Sequence, residues 1–306
     1  MKHWIQAARL RTLPLSVSGI IVGSAYAYHQ GFSDWRILVL ALLTTLGLQV
    51  LSNYANDYGD GVKGTDANRI GEKRLVAAGV ITAEQMKKAV LLTAVLTFIV
   101  ALILIYVAFG KENFGLSLIF ILLGIGSIGA AIKYTVGKNA YGYSGFGDLF
   151  VFLFFGWVSV IGSNFLFTHI IDWKLFLPAT AIGLLSVAVL NLNNMRDIEN
   201  DKMAGKNTLV VKMGLAWAKN YQHFLITIAF VIFFVFSIGI NIRFYSSFLV
   251  FLFFLKHLEK VRKAKKYEDF DPELKKVALG TFVLSILFWL SLFLSSVLKD
   301  LIMLAS

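Results

Sequence analysis

The stretch NYANDYGDGVKGTD, residues 53–66, places three carboxylates (Asp57, Asp60, Asp66), two asparagines (Asn53, Asn56) and three glycines at the end of a strongly apolar run. An unpaired acid at the edge of a segment fit for lipid costs several kcal/mol, on the order of the insertion-scale values. Such residues are usually retained for an ion or a substrate. A second acidic cluster, NLNNMRDIEND at residues 191–201, follows another apolar run much later. The question the sequence poses is whether the two meet, and over what.

Around these clusters the chain is built for a bilayer. Of its 306 residues 58% are hydrophobic and 15% charged, and the mean hydropathy is +0.73. A soluble domain carries about 25% charged residues, and the helices of one large soluble core would need polar faces that long stretches here lack. Runs of Leu, Ile, Val and Phe make helices the only plausible spanning form, because lipid leaves open backbone groups without partners. The sequence therefore predicts an all-α, polytopic membrane protein. Counting spans of about 20 apolar residues gives nine transmembrane helices, near 12–29, 36–55, 89–109, 115–133, 145–168, 175–195, 221–239, 243–259 and 277–298, in one domain over 1–306. The break between the seventh and eighth, at 238–245, is short and weak. The first fifteen residues, MKHWIQAARLRTLPL, are basic and amphipathic without a small-residue cleavage site, and read as a retained interfacial helix.

Charge fixes the expected orientation. With the N-terminus and the loops after even-numbered spans on one side, that side holds 24 of the 29 Lys and Arg. The positive-inside rule then puts the N-terminus and both acidic clusters in the cytoplasm and the C-terminus outside, in the inner (cytoplasmic) membrane. The net charge of +11 is accordingly topology, not a nucleic-acid footprint. The chain has no cysteine, which removes disulfides and thiolate metal sites. The five histidines are scattered without ligand spacing. Neither a P-loop nor a Ser-His-Asp order is present.

Asn193, Asp197 and Asp201 lie four apart, so on a helix they share a face, with Asn194 beside Asn193 as an alternative; Asn56 and Asp60 repeat the spacing. Gly59, Gly61 and Gly64 are expected to turn the continuation toward Asp66 into a loop. The echo extends to a following glycine and basic residues, as if two halves, about 1–135 and 140–306, faced one cavity. Clustered carboxylates repel unless a cation intervenes, and hard oxygen ligands select Mg²⁺, which bridges carboxylates to substrate phosphates. Lys63, Lys73, Arg74, Lys133, Arg196 and Lys206 stand near the acids as phosphate contacts. Acids, bases and an adjoining apolar cavity suit a lipid pyrophosphate. An ion-coupled transporter would instead place its acids near the bilayer midplane on broken helices, and a phosphatidyltransferase would carry an Asp-Gly-x2-Ala-Arg core that is missing here.

At these residues the chain resembles the UbiA superfamily of intramembrane aromatic prenyltransferases. The likeness runs through Trp4-x4-Arg9-x-Arg11-Thr12-Leu13-Pro14, Asn56-Asp57-x2-Asp60-x3-Gly64-x-Asp66, Lys133-Tyr134-Thr135, Tyr141-Gly142-Tyr143-x-Gly145-x-Gly147-Asp148, Phe154-Phe155-Gly156 and Asn193-Asn194-x-Arg196-Asp197-Ile198-Glu199-x-Asp201-x3-Gly205-Lys206-x-Thr208-Leu209. Within the superfamily it looks most like the branch acting on 1,4-dihydroxy-2-naphthoate. It departs from that branch at Val136-Gly137-Lys138-Asn139-Ala140 and near Trp157, where prolines are often found, which bears on the acceptor. The resemblance implies nine helices around a central cavity, and Mg²⁺ held between carboxylates and a polyprenyl pyrophosphate. It implies that the polyprenyl group passes to the naphthoate with loss of pyrophosphate and CO₂; 4-hydroxybenzoate and homogentisate are the alternative acceptors. On this footing Asp57, Asp60, Asp66, Asp197 and Asp201 are expected at the metal. Asn56, Asp60, Asp197, Lys133, Tyr134 and Arg196 are expected at the chemistry, and Lys63, Lys73, Arg74, Asn193, Asn194 and Lys206 at the substrates.

Overall fold

The computed structural model describes residues 1–65, 74–239 and 245–305; helices joined by turns and short loops make up these residues, with no strand among them. A short helix α1 (Lys2–Ala8) leads through a tight turn into α2 (Leu13–His29). Then follow α3 (Trp35–Lys63), α4 (Ala83–Phe109), α5 (Phe114–Lys133), α6 (Gly147–Thr168), α7 (Phe176–Arg196), the short α8 (Ile198–Met203) and α9 (Leu209–Met213), α10 (Leu215–Gly239), α11 (Tyr245–Lys263) and α12 (Phe270–Ala305). Each of the nine spans expected from the sequence falls on one of these helices. Among the described residues seven helices are long and apolar enough to cross a membrane; α2, at 17 residues, and α11, at 19, are shorter or less apolar. The protein is a multi-pass membrane protein. The weak break after α10 lies largely at 240–244, outside the described residues, as do Asp66 and Lys73.

Local chemistry sets the ends. Asp34 caps α3 by accepting the Arg36 amide at 2.9 Å, a charge favourable at a helix N-terminus. Thr82 and Gln85 form a reciprocal capping box at the start of α4. Pro14 sits in the first turn of α2, where its missing N–H costs nothing.

The first acidic motif behaves differently from the expectation. Gly59 and Gly61 do not open a loop: α3 continues through both to Lys63, and only Gly64, at φ 73°, leaves the helix. The two helical glycines serve close approach instead. A Cβ on Gly59 would stand 2.8 Å from the Thr135 hydroxyl oxygen, and one on Gly61 2.6 Å from Val76. They let the 134–136 and 74–80 segments lie directly on the end of α3.

α7 is the most enclosed of the long helices. It packs against α6, α10 and α12, with a core of Ala181, Ile182, Leu185, Val189, Leu192 and Met195 against residues of α2, α10, α11 and α12. α6 crosses α7 closely where Gly156 approaches Ala179 and Gly183, beside a π-helical turn over Phe152–Val158. Such turns widen a helix locally and often mark functional sites. On the other flank α3, α4 and α5 pack together. Between the two groups lies the cavity.

Candidate active site

The cavity holds about 370 Å³ and is walled by α2, α3, α4, α5, α6 and α7. Along α3 its wall runs from Ala41 to Asp60, about 28 Å at the helical rise. One end is polar: Arg9, Arg11, Asn56, Asp60, Arg74, Asn193 and Lys206 all line it. The rest is apolar and aromatic, with Ile20, Leu104, Phe120, Phe150 and Phe154 in the wall.

The two acidic motifs meet at the polar end. Asn200 of the second donates its side-chain N–H to the Thr65 carbonyl of the first at 2.7 Å. Tyr143, on the 134–146 connection, ties them from the side. Its hydroxyl donates to Asp60 Oδ1 at 2.8 Å, while Lys63 Nζ lies 3.9 Å and Lys206 Nζ 5.5 Å from its ring centre. Burial, then the neighbouring Asp60 charge, pushes the Tyr143 phenol well above its ordinary range, so it remains a donor. The main-chain carbonyl of Tyr143 also accepts the Asn207 amide at 3.0 Å, which pins the loop leading out of the second motif.

Each expected residue among those described has a definite place. Asn56 and Asp60, one turn apart on α3, face the cavity, as do Asn193 from α7, Arg74 and Lys206. Asn56 Oδ1 accepts the Thr135 hydroxyl at 3.1 Å, and Arg74 Nη2 stands 4.0 Å from Asp60 Oδ2. Lys206 Nζ is 3.7 Å from Asp201. Tyr134 also lines the cavity. Asp57, by contrast, points its two oxygens at the backbone: Oδ2 accepts the Leu75 amide and Oδ1 the Val76 amide, both at 3.1 Å. It anchors the turn that presents Arg74.

Arg196 is wholly buried. Its Nε and Nη2 form a two-pronged pair with Asp197 at 2.8 Å each, Nη2 also meets Asn193 Oδ1 at 2.8 Å, and Nη1 meets Asp271 at 2.5 Å. The guanidinium is thus a fixed centre that orients Asp197 and Asn193, and neither Arg196 nor Asp197 is in the cavity wall. Asp201 and Asn194 are buried beside them and Lys133 is exposed at the end of α5; Lys63 reaches the Thr135 carbonyl at 2.8 Å. None of these four lines the cavity.

Sequence reasoning gave no role to Asp271, which joins Arg196 to Arg11, the latter at 3.3 Å. An Asp in the first turn of a helix reads as a dipole partner, and nothing local points to an arginine 75 residues earlier. Asn53 likewise acts across the fold. It donates to the Ala8 carbonyl at 2.8 Å, next to Arg9, whose φ of 50° is costly without glycine. That bond and the Tyr54 hydroxyl on the Trp4 carbonyl at 3.1 Å hold α1 on the end of α3, with Arg9 and Arg11 at the cavity.

The donor set fits a hard cation. Among the described residues no three carboxylate or imidazole groups converge to hold a metal by themselves. Mg²⁺ takes one or two carboxylates and completes its shell with waters and substrate phosphate oxygens. Asp60, Asn56 and Asn193 offer oxygens from two helices at one cavity end, with Arg74 and Lys206 placed for phosphate.

The model of the UbiA prenyltransferase family matches residues 16–276. A 1,4-dihydroxy-2-naphthoate octaprenyltransferase of Escherichia coli strain K12 is 44% identical over 299 residues, 95% of each chain. One from Haemophilus influenzae is 41% identical over 298 residues, 95% of this chain and 96% of that one. Among solved structures, a UbiA homolog from Aeropyrum pernix K1 superposes with a TM-score of 0.69 at 14% identity, covering 94% of this chain and 99% of the other. A homolog from Archaeoglobus fulgidus bound to GPP and Mg²⁺ gives 0.64 at 16% identity, covering 94% and 98%. At those identities the two structures speak to the fold.

Proposed function

The chain belongs to the UbiA prenyltransferase family, and from that premise we propose that it transfers a polyprenyl group from its pyrophosphate to 1,4-dihydroxy-2-naphthoate, with loss of pyrophosphate and CO₂. The observation that carries this reading is one continuous cavity joining an Asp- and Arg-lined mouth to a long aromatic and aliphatic tunnel. The names of the two bacterial relatives supply the acceptor and an octaprenyl donor. The A. fulgidus homolog, bound to GPP and Mg²⁺, supports the cofactor.

Asp60, Asn56 and Asn193 are the oxygens that would hold Mg²⁺, with Asp197 and Asp201 close behind. When bound, Mg²⁺ neutralises the pyrophosphate so that it departs more readily. The protein's own part is positioning and electrostatics. Arg74 and Lys206 take the charge that grows on the departing pyrophosphate, in a site whose ion pairs are already fixed. Arg196 keeps Asp197 and Asn193 aligned without touching substrate. Tyr134, Tyr141, Phe150 and Phe154 line the wall beyond the mouth. Tyr134 meets Tyr141 edge-on and Tyr141 stacks on Phe150, so π faces and a dry surface surround the place where an allylic cation forms. The electron-rich naphthoate ring then attacks that carbon. The mouth lies at the end of the bundle where Lys and Arg gather, which supports a cytoplasmic site with the N-terminus on the same side and the C-terminus outside.

The test is purified protein with octaprenyl pyrophosphate, Mg²⁺ and each candidate acceptor, with products identified by mass spectrometry. A prenylated, decarboxylated naphthoate is expected, and EDTA is expected to stop its formation. Turnover only with 4-hydroxybenzoate or homogentisate would move the acceptor assignment.

A further inference from the structure

Behind the end of α7 a line of four polar side chains crosses the core. Asn191 of α7, Gln222 of α10, His257 of α11 and Glu273 of α12 are each no more than 3% exposed, and none of them lines the cavity. Asn191 Nδ2 donates to the Ala218 carbonyl and to Gln222 Oε1, both at 2.9 Å. Gln222 Nε2 lies 3.2 Å from His257 Nε2, and His257 Nδ1 lies 2.8 Å from Glu273 Oε2. The second oxygen of Glu273 accepts Lys276, at the outer end of the line.

The direction of every bond follows from the first. A carbonyl only accepts, so that of Ala218 turns the Asn191 amide with its nitrogen toward α10. Asn191 Oδ1 is left without a hydrogen-bond partner among the described residues. Gln222 then offers its oxygen to Asn191 and its NH2 to His257. His257 Nε2 accepts, and Nδ1 carries the proton that it donates to Glu273, which holds the ring in one tautomer. Four polar groups, one of them a carboxylate, are costly to bury unless they are hydrogen-bonded. Bonded in this directional way, they fix how α10, α11 and α12 are turned against α7.

The line closes a loop with the ion pairs of the second motif. Asp271, on the same turn of α12 as Glu273, holds Arg196. The start of α12 is thus fastened to the end of α7 at Asn191 and at Arg196, about 7.5 Å apart along the helix. One tie is direct, and the other runs through α10 and α11. Asn193, which lines the cavity, falls between the two. We propose that His257 is a positioning residue for the pyrophosphate site. It carries the tie from Glu273 to Gln222 and Asn191, and so sets Asn193, with Asp197 behind it, for magnesium pyrophosphate. This rests on the pyrophosphate-donor reading above.

The test is the affinity of the purified full-length protein for magnesium pyrophosphate, by calorimetry, beside KM for octaprenyl pyrophosphate and for the acceptor. His257→Leu removes the tie. His257→Asn keeps a donor for Glu273 but has no atom at the Nε2 position to meet Gln222, and it carries the test if the leucine variant does not fold. Thr281→Val, which removes a buried hydroxyl bonded to the Val277 carbonyl of its own helix, is the control. The His257 variants are expected to bind magnesium pyrophosphate about fivefold more weakly, somewhat less than the loss of a direct outer-shell partner of a metal site. KM for the donor should rise as much, KM for the acceptor should stay near wild type, and Thr281→Val should move none of the three. A purely structural loss would lower the number of folded sites, and with it kcat, without moving affinity or KM. Wild-type affinity in the His257 variants, or an equal loss in Thr281→Val, would overturn the positioning role. A wild type that does not bind magnesium pyrophosphate would instead overturn the reading of the site on which that role depends.

Discussion

The ends of α3 and α7 carry the same Asn-x3-Asp spacing and use it in different ways. On α3, Asn56 and Asp60 face the cavity, with Tyr143 and Arg74 on the carboxylate. On α7, Asn193 reaches the cavity but Asp197 is clasped by the buried Arg196, which Asp271 holds from the other side. The i,i+4 spacing decides which side chains share a helix face. What each then does depends on the charges that other helices bring. The first motif faces the cavity and is braced by a tyrosine; the second is braced by an internal ion network.

Mutation separates the two. The largest effect is expected for Asp60→Ala: a loss of ~10³-fold in turnover, the scale of removing one charge-stabilising group, with thermal unfolding in detergent little changed. Asp197→Ala is expected to abolish turnover as well, but also to lower stability by ~3–5 kcal/mol, because it leaves the Arg196 charge buried with half its partners. Equal unfolding midpoints for the two variants would erase the distinction. Asp57→Ala removes the acceptor for two backbone amides and loosens the turn that carries Arg74. An approximately tenfold rise in KM for the pyrophosphate donor, with kcat nearly kept, is expected, since a hydrogen bond to a charged group is worth ~1.5–3 kcal/mol. A selective fall in kcat would instead place Asp57 at the chemistry. The smallest effect is expected for Tyr143→Phe. It deletes one partner of the Asp60 carboxylate while Arg74 still faces that group, and should cost about fivefold in kcat/KM, ~1 kcal/mol, while leaving the ring against Lys63 and Lys206.

Much of this was legible in the chain. The apolar runs placed each long helix within a few residues, except where α3, α4, α10 and α12 run on past the hydrophobic stretch into polar ends. Gly59 and Gly61 were misleading, since glycine counts as a breaker locally but here gives Thr135 and Val76 room. The acids were found as clusters, yet their division of labour was not visible. Asp57 turns to the Leu75 and Val76 amides, and Arg196, expected at the substrate, is sealed inside. Asp271 and Tyr143 sit in ordinary local contexts, as an acid at a helix start and an aromatic in a glycine-rich connection.

The sequence by itself determined an all-helical membrane bundle and two acid-rich helix ends with a common spacing. Both properties are periodic or compositional, and lipid admits few alternatives. Only the tertiary structure decided which carboxylates meet the cavity and which are held by arginine or by backbone amides. Those outcomes depend on pairings between residues tens to hundreds of positions apart, such as Arg11 with Asp271, and no local pattern encodes a partner at that distance.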